Sequence, residues 1–119
     1  MNKEIKAKWI EALRSGKYAQ TTDGVLFDGE AYCCLGVLCD VLGLKPDYNE
    51  ERGRWYFHHN GLRDYEVLPE PLAEELGLTI CGDLPNKVEF EGHERGDLAH
   101  LNDKGADFNF IADVIEKQL

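Results

Sequence analysis

Apolar positions in the first third of the chain predict two helices of different character. In MNKEIKAKWIEALRSG the apolar residues recur at helical spacing, and Gly16 follows them as a helix-ending glycine. The stretch EAYCCLGVLCDVLG is apolar on nearly every face between residues 32 and 42, and Gly43 ends it. Because a helix without a polar face is covered on all sides, this pattern predicts a buried central helix that is rich in cysteine. Gly36 within it lowers helix propensity, which indicates close packing against another backbone.

The second half of the chain predicts two further helices. The segment LPEPLAEELGL has Pro69 near the first turn of one helix and Gly77 just after its end. The last helix is expected to begin after Asp107, its N-cap, with Asp103 as the alternative cap. Its apolar face is formed by Phe108, Ile111, Ala112 and Ile115.

Strands are predicted between these helices. Residues 18–27 contain Asp-Gly between two short apolar runs, which predicts a β-hairpin. Residues 54–58 are aromatic, residues 87–91 alternate polar with apolar, and both patterns are typical of strands. Residues 47–54 and 79–86 are expected to be polar loops. Helices and short antiparallel strands alternate without a βαβ rhythm, so the sequence predicts a single α+β domain over residues 1–119. Its expected architecture is the central cysteine helix, buried against a small antiparallel sheet, with the other helices alongside.

The charge distribution limits the partners that the protein can have. The net charge is −10, yet the first 20 residues hold five Lys and Arg against two Glu, so the rest of the chain carries −13. An acidic body repels phosphate backbones, which makes nucleic acid an unexpected partner and favours basic proteins. The N-terminus lacks the apolar core of a signal peptide, and no apolar run reaches the length of a membrane span. We therefore expect a cytoplasmic protein with reduced cysteines and no membrane partner.

The cysteines allow three interpretations. Free cysteine is among the most buried residue types, so a core role is favoured for all of them. No Cys-x-x-Cys pair is present, so neither a metal site nor a cofactor is predicted. A thiol in the first turn of a helix has a lowered pKa, so Cys34 or Cys33 could act as a nucleophile with His100 or His93. That arrangement resembles papain-like hydrolases, although Leu35 stands where the cell-wall peptidases of that superfamily usually have serine.

Two further places are candidate binding sites. Asn102 and Asp103, in LNDKG, are typical of a turn that caps the following helix, and they could also contact a ligand. Trp55 and His58 lie in the aromatic strand and could line a cleft for a small ligand, although packing on a helix also explains them.

The order of motifs along the chain resembles a family of small uncharacterised proteins from bacteriophage and prophage genomes. The resemblance rests on CCLGVLCD at residues 33–40 and on LNDKGADF at residues 101–108, and it extends over nearly the whole chain. It implies an accessory role in the host cytoplasm and no particular chemistry. The leading hypothesis is a non-enzymatic acidic protein that binds a host protein or a small ligand. The alternatives are a papain-like cysteine hydrolase and an acidic DNA mimic that inhibits a host nucleic-acid-binding protein; the oligomeric state stays open.

Overall fold

The computed structural model describes all 119 residues and has five helices and five short strands. The prediction of an α+β protein is confirmed. None of the helices is long and apolar enough to cross a membrane. In chain order the elements are α1 (Lys3–Arg14), α2 (Cys34–Val41), β1 (Asp47–Asn49), β2 (Arg54–His59), β3 (Leu62–Asp64), α3 (Glu70–Leu76), β4 (Asp83–Phe90), β5 (His93–Asp97), α4 (Leu98–Asp103) and α5 (Phe108–Gln118).

The first and last helices pack against each other along one side of the core. Each presents an apolar face, as their sequence periodicity predicts, and Arg14 joins their exposed edges by ion pairs to Asp113 at 2.6 Å and Glu116 at 3.3 Å. Trp9 is fully buried, and its indole N–H donates to the carbonyl oxygen of Cys34 at 2.9 Å. This bond attaches α1 to the start of α2.

The central helix α2 is buried as predicted, but its main packing partners are α1 and α4 rather than a sheet. Six of its eight residues are buried. The helix begins at Cys34, two residues later than the sequence pattern predicts, because Cys33 has extended backbone and caps it. Its polar termini are therefore satisfied inside the protein.

The predicted hairpin over residues 18–27 is wrong. Its two halves do not pair with each other, because both bond to the residues that lead into α2. The amide of Tyr32 donates to the carbonyl of Ala19 at 2.9 Å, and the amide of Cys33 donates to the carbonyl of Leu26 at 3.1 Å. Residues 18–33 therefore form an irregular segment that covers the start of α2.

The strands form two separate antiparallel sheets. One has the order β1-β2-β3, and the other is the β4-β5 hairpin. The predicted strand at 54–58 is confirmed, and the one at 87–91 is confirmed as far as Phe90, because Glu91 lies in the turn before β5. The two predicted loops are partly wrong. Residues 47–54 include β1, and β4 begins at Asp83 within residues 79–86, because each of these segments finds a backbone partner in a neighbouring strand.

Two helix boundaries show the separate effects of a capping side chain and of apolar packing. Asp107 caps α5 by accepting the amide of Phe110 at 2.8 Å, which confirms the predicted cap. The LNDKG segment is more ordered than the predicted turn, because Leu98–Asp103 forms α4, with Asp97 as its N-cap. The burial of Leu98 and Leu101 stabilises this short helix against the core.

Gly36 is the point of closest approach between α2 and the irregular segment. A Cβ atom at this position would lie 2.0 Å from the carbonyl oxygen of Leu26. That oxygen belongs to backbone which also accepts the amide of Cys33, so it cannot move away without breaking a hydrogen bond. Glycine at this position is therefore a packing requirement, as the sequence indicates.

We expect Gly36→Ala to lower the free energy of unfolding by about 3 kcal/mol, the upper part of the usual range for overpacking, because the methyl group meets backbone. Urea denaturation followed by circular dichroism measures this change. Gly96→Ala is the matched control, because the nearest atom to its added Cβ is 3.9 Å away and its φ angle is not positive. A Gly36→Ala protein as stable as the Gly96→Ala protein would contradict this packing.

Candidate functional site

The three thiols of the cysteine helix face the interior. Cys33, Cys34 and Cys39 are between 0% and 4% exposed. The sulfur of Cys33 accepts the amide of Gly36 at 3.4 Å, which makes it the cap of α2. The thiol of Cys34 donates to the carbonyl oxygen of Leu98 at 3.6 Å. Cys33 and Cys34 therefore both take part in hydrogen bonds inside the protein.

Burial determines the protonation state of these thiols. It raises the pKa of Cys33 to about 11, even though the amides of Gly36 and Leu35 act in the opposite direction. Burial also raises the pKa of Cys34 well above its ordinary value, and it raises that of Cys39. The loss of hydration outweighs the helix dipole here, so all three thiols are protonated at neutral pH.

The candidate histidines make their contacts elsewhere. His100 is exposed, and its Nδ1 atom lies 2.9 Å from a carboxylate oxygen of Asp97, while His93 lies exposed on β5. No hydrogen bond joins either imidazole to Cys33 or Cys34. The geometry therefore lacks the thiol–imidazole pair on which a papain-like mechanism depends.

Asn102 is fully buried and lies at the centre of the fold. Its side-chain oxygen accepts the amide of Cys34 at 3.1 Å and the side-chain amide of Gln20 at 2.8 Å. Its side-chain nitrogen donates to the carbonyl oxygen of Thr21 at 2.8 Å and to Asp103 at 3.2 Å. Both polar atoms of Asn102 are thus used inside the protein, and none is free for a ligand.

Asp103, the next residue, faces a surface cleft of about 400 Å³. This acidic cleft lies between the end of β3, the loop before β4, and α4. It is lined by Gly24, Asp64, Glu66, Val67, Cys81, Asp97, Ala99, His100 and Asp103. Four of these nine side chains are carboxylates and none is lysine or arginine, so the cleft is strongly negative.

The carboxylates of the acidic cleft are held in place by the backbone. Asp97 caps α4 through the amide of His100 at 2.7 Å. One oxygen of Asp64 accepts the amides of Glu66 at 3.0 Å and Val67 at 3.2 Å. These bonds fix the orientation of the Asp64 and Asp97 carboxyl groups, so this part of the cleft is preorganised.

The pKa values of the cleft reflect its burial and its charge. Burial raises the pKa of Asp103, and Asp97 adds to the rise, while hydrogen bonds from Asn102 and Gly24 and the charge of His100 oppose it. Burial likewise raises the pKa of the Cys81 thiol, followed in effect by Asp97, Asp83 and Asp64. A positive group placed in this cleft would therefore relieve an unfavourable concentration of negative charge.

The structure does not bring the other two candidate binding residues together. Trp55 packs between the rings of Phe27 at 5.2 Å and Tyr48 at 5.2 Å on the inner side of β2. His58 is three residues further along the strand and therefore points to the opposite face, where it lies 3.1 Å from Asp47. Neither residue lines the acidic cleft. No group of three or more His, Cys, Asp or Glu side chains is arranged to hold a metal ion.

The sequence alone predicts only a small part of the acidic cleft. Asp103 was a candidate because it lies in LNDKG, and His100 was a candidate only as a base. Asp97 carried a readable signal, since it precedes Leu98 at what becomes the start of a helix. Asp64 and Glu66 have no comparable sequence signal, because they reach the cleft only through the pairing of β3 with β2.

We expect iodoacetamide at neutral pH to leave Cys33, Cys34 and Cys39 unmodified in the native protein, because their thiols are buried and protonated. Cys81 is partly exposed and should be modified slowly. Mass spectrometry of the native and the urea-unfolded protein measures this, and the unfolded chain should be modified at all four positions. Fast modification of Cys33 or Cys34 alone would contradict the core assignment and support a nucleophile.

Comparison with known proteins places the chain in a family. No curated protein and no solved structure matches it significantly. A family model does match, and it covers residues 1–119, the whole chain. The chain therefore belongs to the family described as Domain of unknown function (DUF8296).

Proposed function

We propose that this protein is a non-enzymatic accessory protein of phage type that acts in the host cytoplasm by binding a host protein. The acidic cleft receives a lysine or arginine side chain of that partner. The observation that carries the proposal is the convergence of Asp64, Glu66, Asp97 and Asp103 on one cleft without a lysine or arginine among its lining residues.

The arrangement of Asp103 supports a cationic ligand. Its carboxyl group is partly withdrawn from water, and its hydrogen bonds to the protein come from uncharged amides. Such a group is stabilised by a guanidinium or ammonium ion that replaces the lost water. His100 also lines the cleft, but it is exposed and its Nδ1 atom lies against the carboxylate of Asp97.

The charge of the whole protein supports the same class of partner. The total of −10 produces a negative potential that attracts basic surfaces and accelerates their association. The cleft then provides a position for one side chain, so long-range attraction and local recognition have the same sign. The buried and protonated thiols give no comparable support to the cysteine-hydrolase hypothesis.

Asp103→Asn tests both the cost of ionising this partly buried carboxyl group and its role in binding. Because the pKa of Asp103 is raised in the folded protein, its ionisation costs stability as the pH rises above the ordinary aspartate range. The variant has no such cost, so we expect it to be at least as stable as the native protein at neutral pH. The difference should shrink in acid, where Asp103 is protonated in both states. Urea unfolding at several pH values measures this.

The same variant should bind a cation more weakly. We expect its affinity for arginine amide, followed by amide chemical shifts at Gly24 and Ala99, to fall about tenfold, as for the loss of one charge-assisted hydrogen bond. Glu74→Gln is the control, because Glu74 is exposed on α3 and outside the cleft. Equal losses in both variants would instead indicate a diffuse acidic surface, as in a DNA mimic, and unchanged affinity in Asp103→Asn would overturn the proposal.

A further inference from the structure

The outer face of the three-stranded sheet concentrates the protein's arginines on tyrosine rings. The guanidinium groups of Arg54 and Arg52 lie 5.0 Å and 5.7 Å from the ring centroid of Tyr65. The guanidinium of Arg63 lies 5.1 Å from the ring centroid of Tyr56, and the two rings are 5.5 Å apart. We call these five residues the arginine–tyrosine cluster. It holds three of the five arginines in a strongly acidic protein.

These arginines are poorly neutralised within the protein. Arg54 lies 3.8 Å from Glu66, and neither Arg52 nor Arg63 has a carboxylate within the 4.0 Å of an ion pair. Arg14, on the other side of the molecule, approaches a carboxylate to 2.6 Å. The chain has 23 acidic residues, yet the one ion pair of these three arginines is that between Arg54 and Glu66. The tyrosine rings stabilise the guanidinium groups by cation–π contact and leave their N–H donors free.

The imidazole of His58 lies directly beside Arg63. Arg63 is the cross-strand partner of His58 in the antiparallel pairing of β2 with β3, so the two side chains lie on the same face. The imidazole of His58 is 54% exposed and contacts Asp47 at 3.1 Å through one nitrogen. An anion placed between Arg63 and His58 would contact side chains of both strands, with the guanidinium of Arg63 as its donor.

The surface around this pair has the size of a small-ligand site. A hollow of about 370 Å³ is lined only by Tyr56, His58, Gly61 and Arg63, with no carboxylate. On the other side of the Arg63–Tyr56 pair, a hollow of about 440 Å³ also includes Glu50 and Glu51. The first hollow offers donors for an anion, and the second offers acceptors for hydroxyl groups.

We infer that the arginine–tyrosine cluster binds a small phosphorylated molecule with hydroxyl groups, such as a sugar phosphate or a nucleoside monophosphate. Arg63 binds two oxygens of the phosphate with its planar fork of N–H donors, and His58 faces the same group. The carboxylates of Glu50 and Glu51 accept hydrogen bonds from hydroxyl groups of the ligand. None of the five cluster residues lines the acidic cleft, although Arg54 lies 3.8 Å from Glu66 of that cleft.

The charge balance favours a small ligand over a polymer. At physiological ionic strength exposed charges are screened over about 8 Å, so a single phosphate at Arg63 responds mainly to the charged groups beside it, which are the arginines together with Asp47, Glu50 and Glu51. A nucleic acid would extend beyond the cluster onto a protein surface whose total charge is −10. A compact anion bound at Arg63 avoids most of the acidic surface that a polymer would cover.

Isothermal titration calorimetry at fixed ionic strength tests this inference with four probes: inorganic phosphate, glucose phosphate, adenosine monophosphate and unphosphorylated adenosine. We expect at least one of the two phosphate esters to bind more tightly than both phosphate and adenosine. Whether the sugar phosphate or the nucleotide binds more tightly distinguishes the two sources. Failure of both esters to bind, or binding no tighter than that of inorganic phosphate, would overturn the inference.

Substitutions then locate the site. Arg63→Gln should lower the affinity for the bound ester at least about tenfold, and Arg63→Lys should lower it less, because lysine keeps the charge but not the fork. Arg63 is exposed on an edge strand, so both proteins should fold, and thermal melting checks this. Lys87→Gln makes the same charge change on β4 and should have no effect. Equal affinities of the native and Arg63→Gln proteins would overturn the assignment.

Discussion

The rest of the structure depends on the buried side-chain amide of Asn102. A primary amide that is shielded from water needs hydrogen-bond partners for both its oxygen and its nitrogen. The partners of Asn102 come from three separate parts of the chain. Through them Asn102 fixes the start of α2 at Cys34, the irregular segment at Gln20 and Thr21, and its own helix α4. The amide therefore determines which backbone segments meet, and apolar packing fills the space around them.

The burial of the cysteines follows from this arrangement. Since the start of α2 is covered by residues 18–33 and by α4, its first-turn thiols have no path to solvent, and the helix dipole cannot make them reactive. The two surfaces proposed to bind ligands lie instead on either side of the β2-β3 hairpin. Asp64 contributes to a negative cleft, and its neighbour Arg63 contributes to a positive cluster, because adjacent residues of a strand point to opposite faces.

Sequence patterns predict the parts of this structure that depend on neighbours along the chain. The periodicity of α1 and α5, the all-round burial of α2 and the Asp107 cap are such parts. The hairpin at residues 18–27 failed because an Asp-Gly turn signal does not specify which backbone the flanking residues join. The opposite directions of Trp55 and His58 could have been read from their odd spacing. The acidic cleft could not have been read from the sequence, because its carboxylates come together only when β3 pairs with β2 and α4 packs nearby.

The start of α2 is a closed part of the core, fixed by Asn102. Native-state hydrogen exchange at the amides of Cys33 and Cys34 tests it most directly, because these amides are bonded to Leu26 and Asn102 rather than within a helix. We expect both amides to exchange only by global unfolding, with an opening free energy equal to the free energy of unfolding from urea denaturation. Exchange of either amide at the rate of an exposed loop, while α5 stays protected, would contradict it.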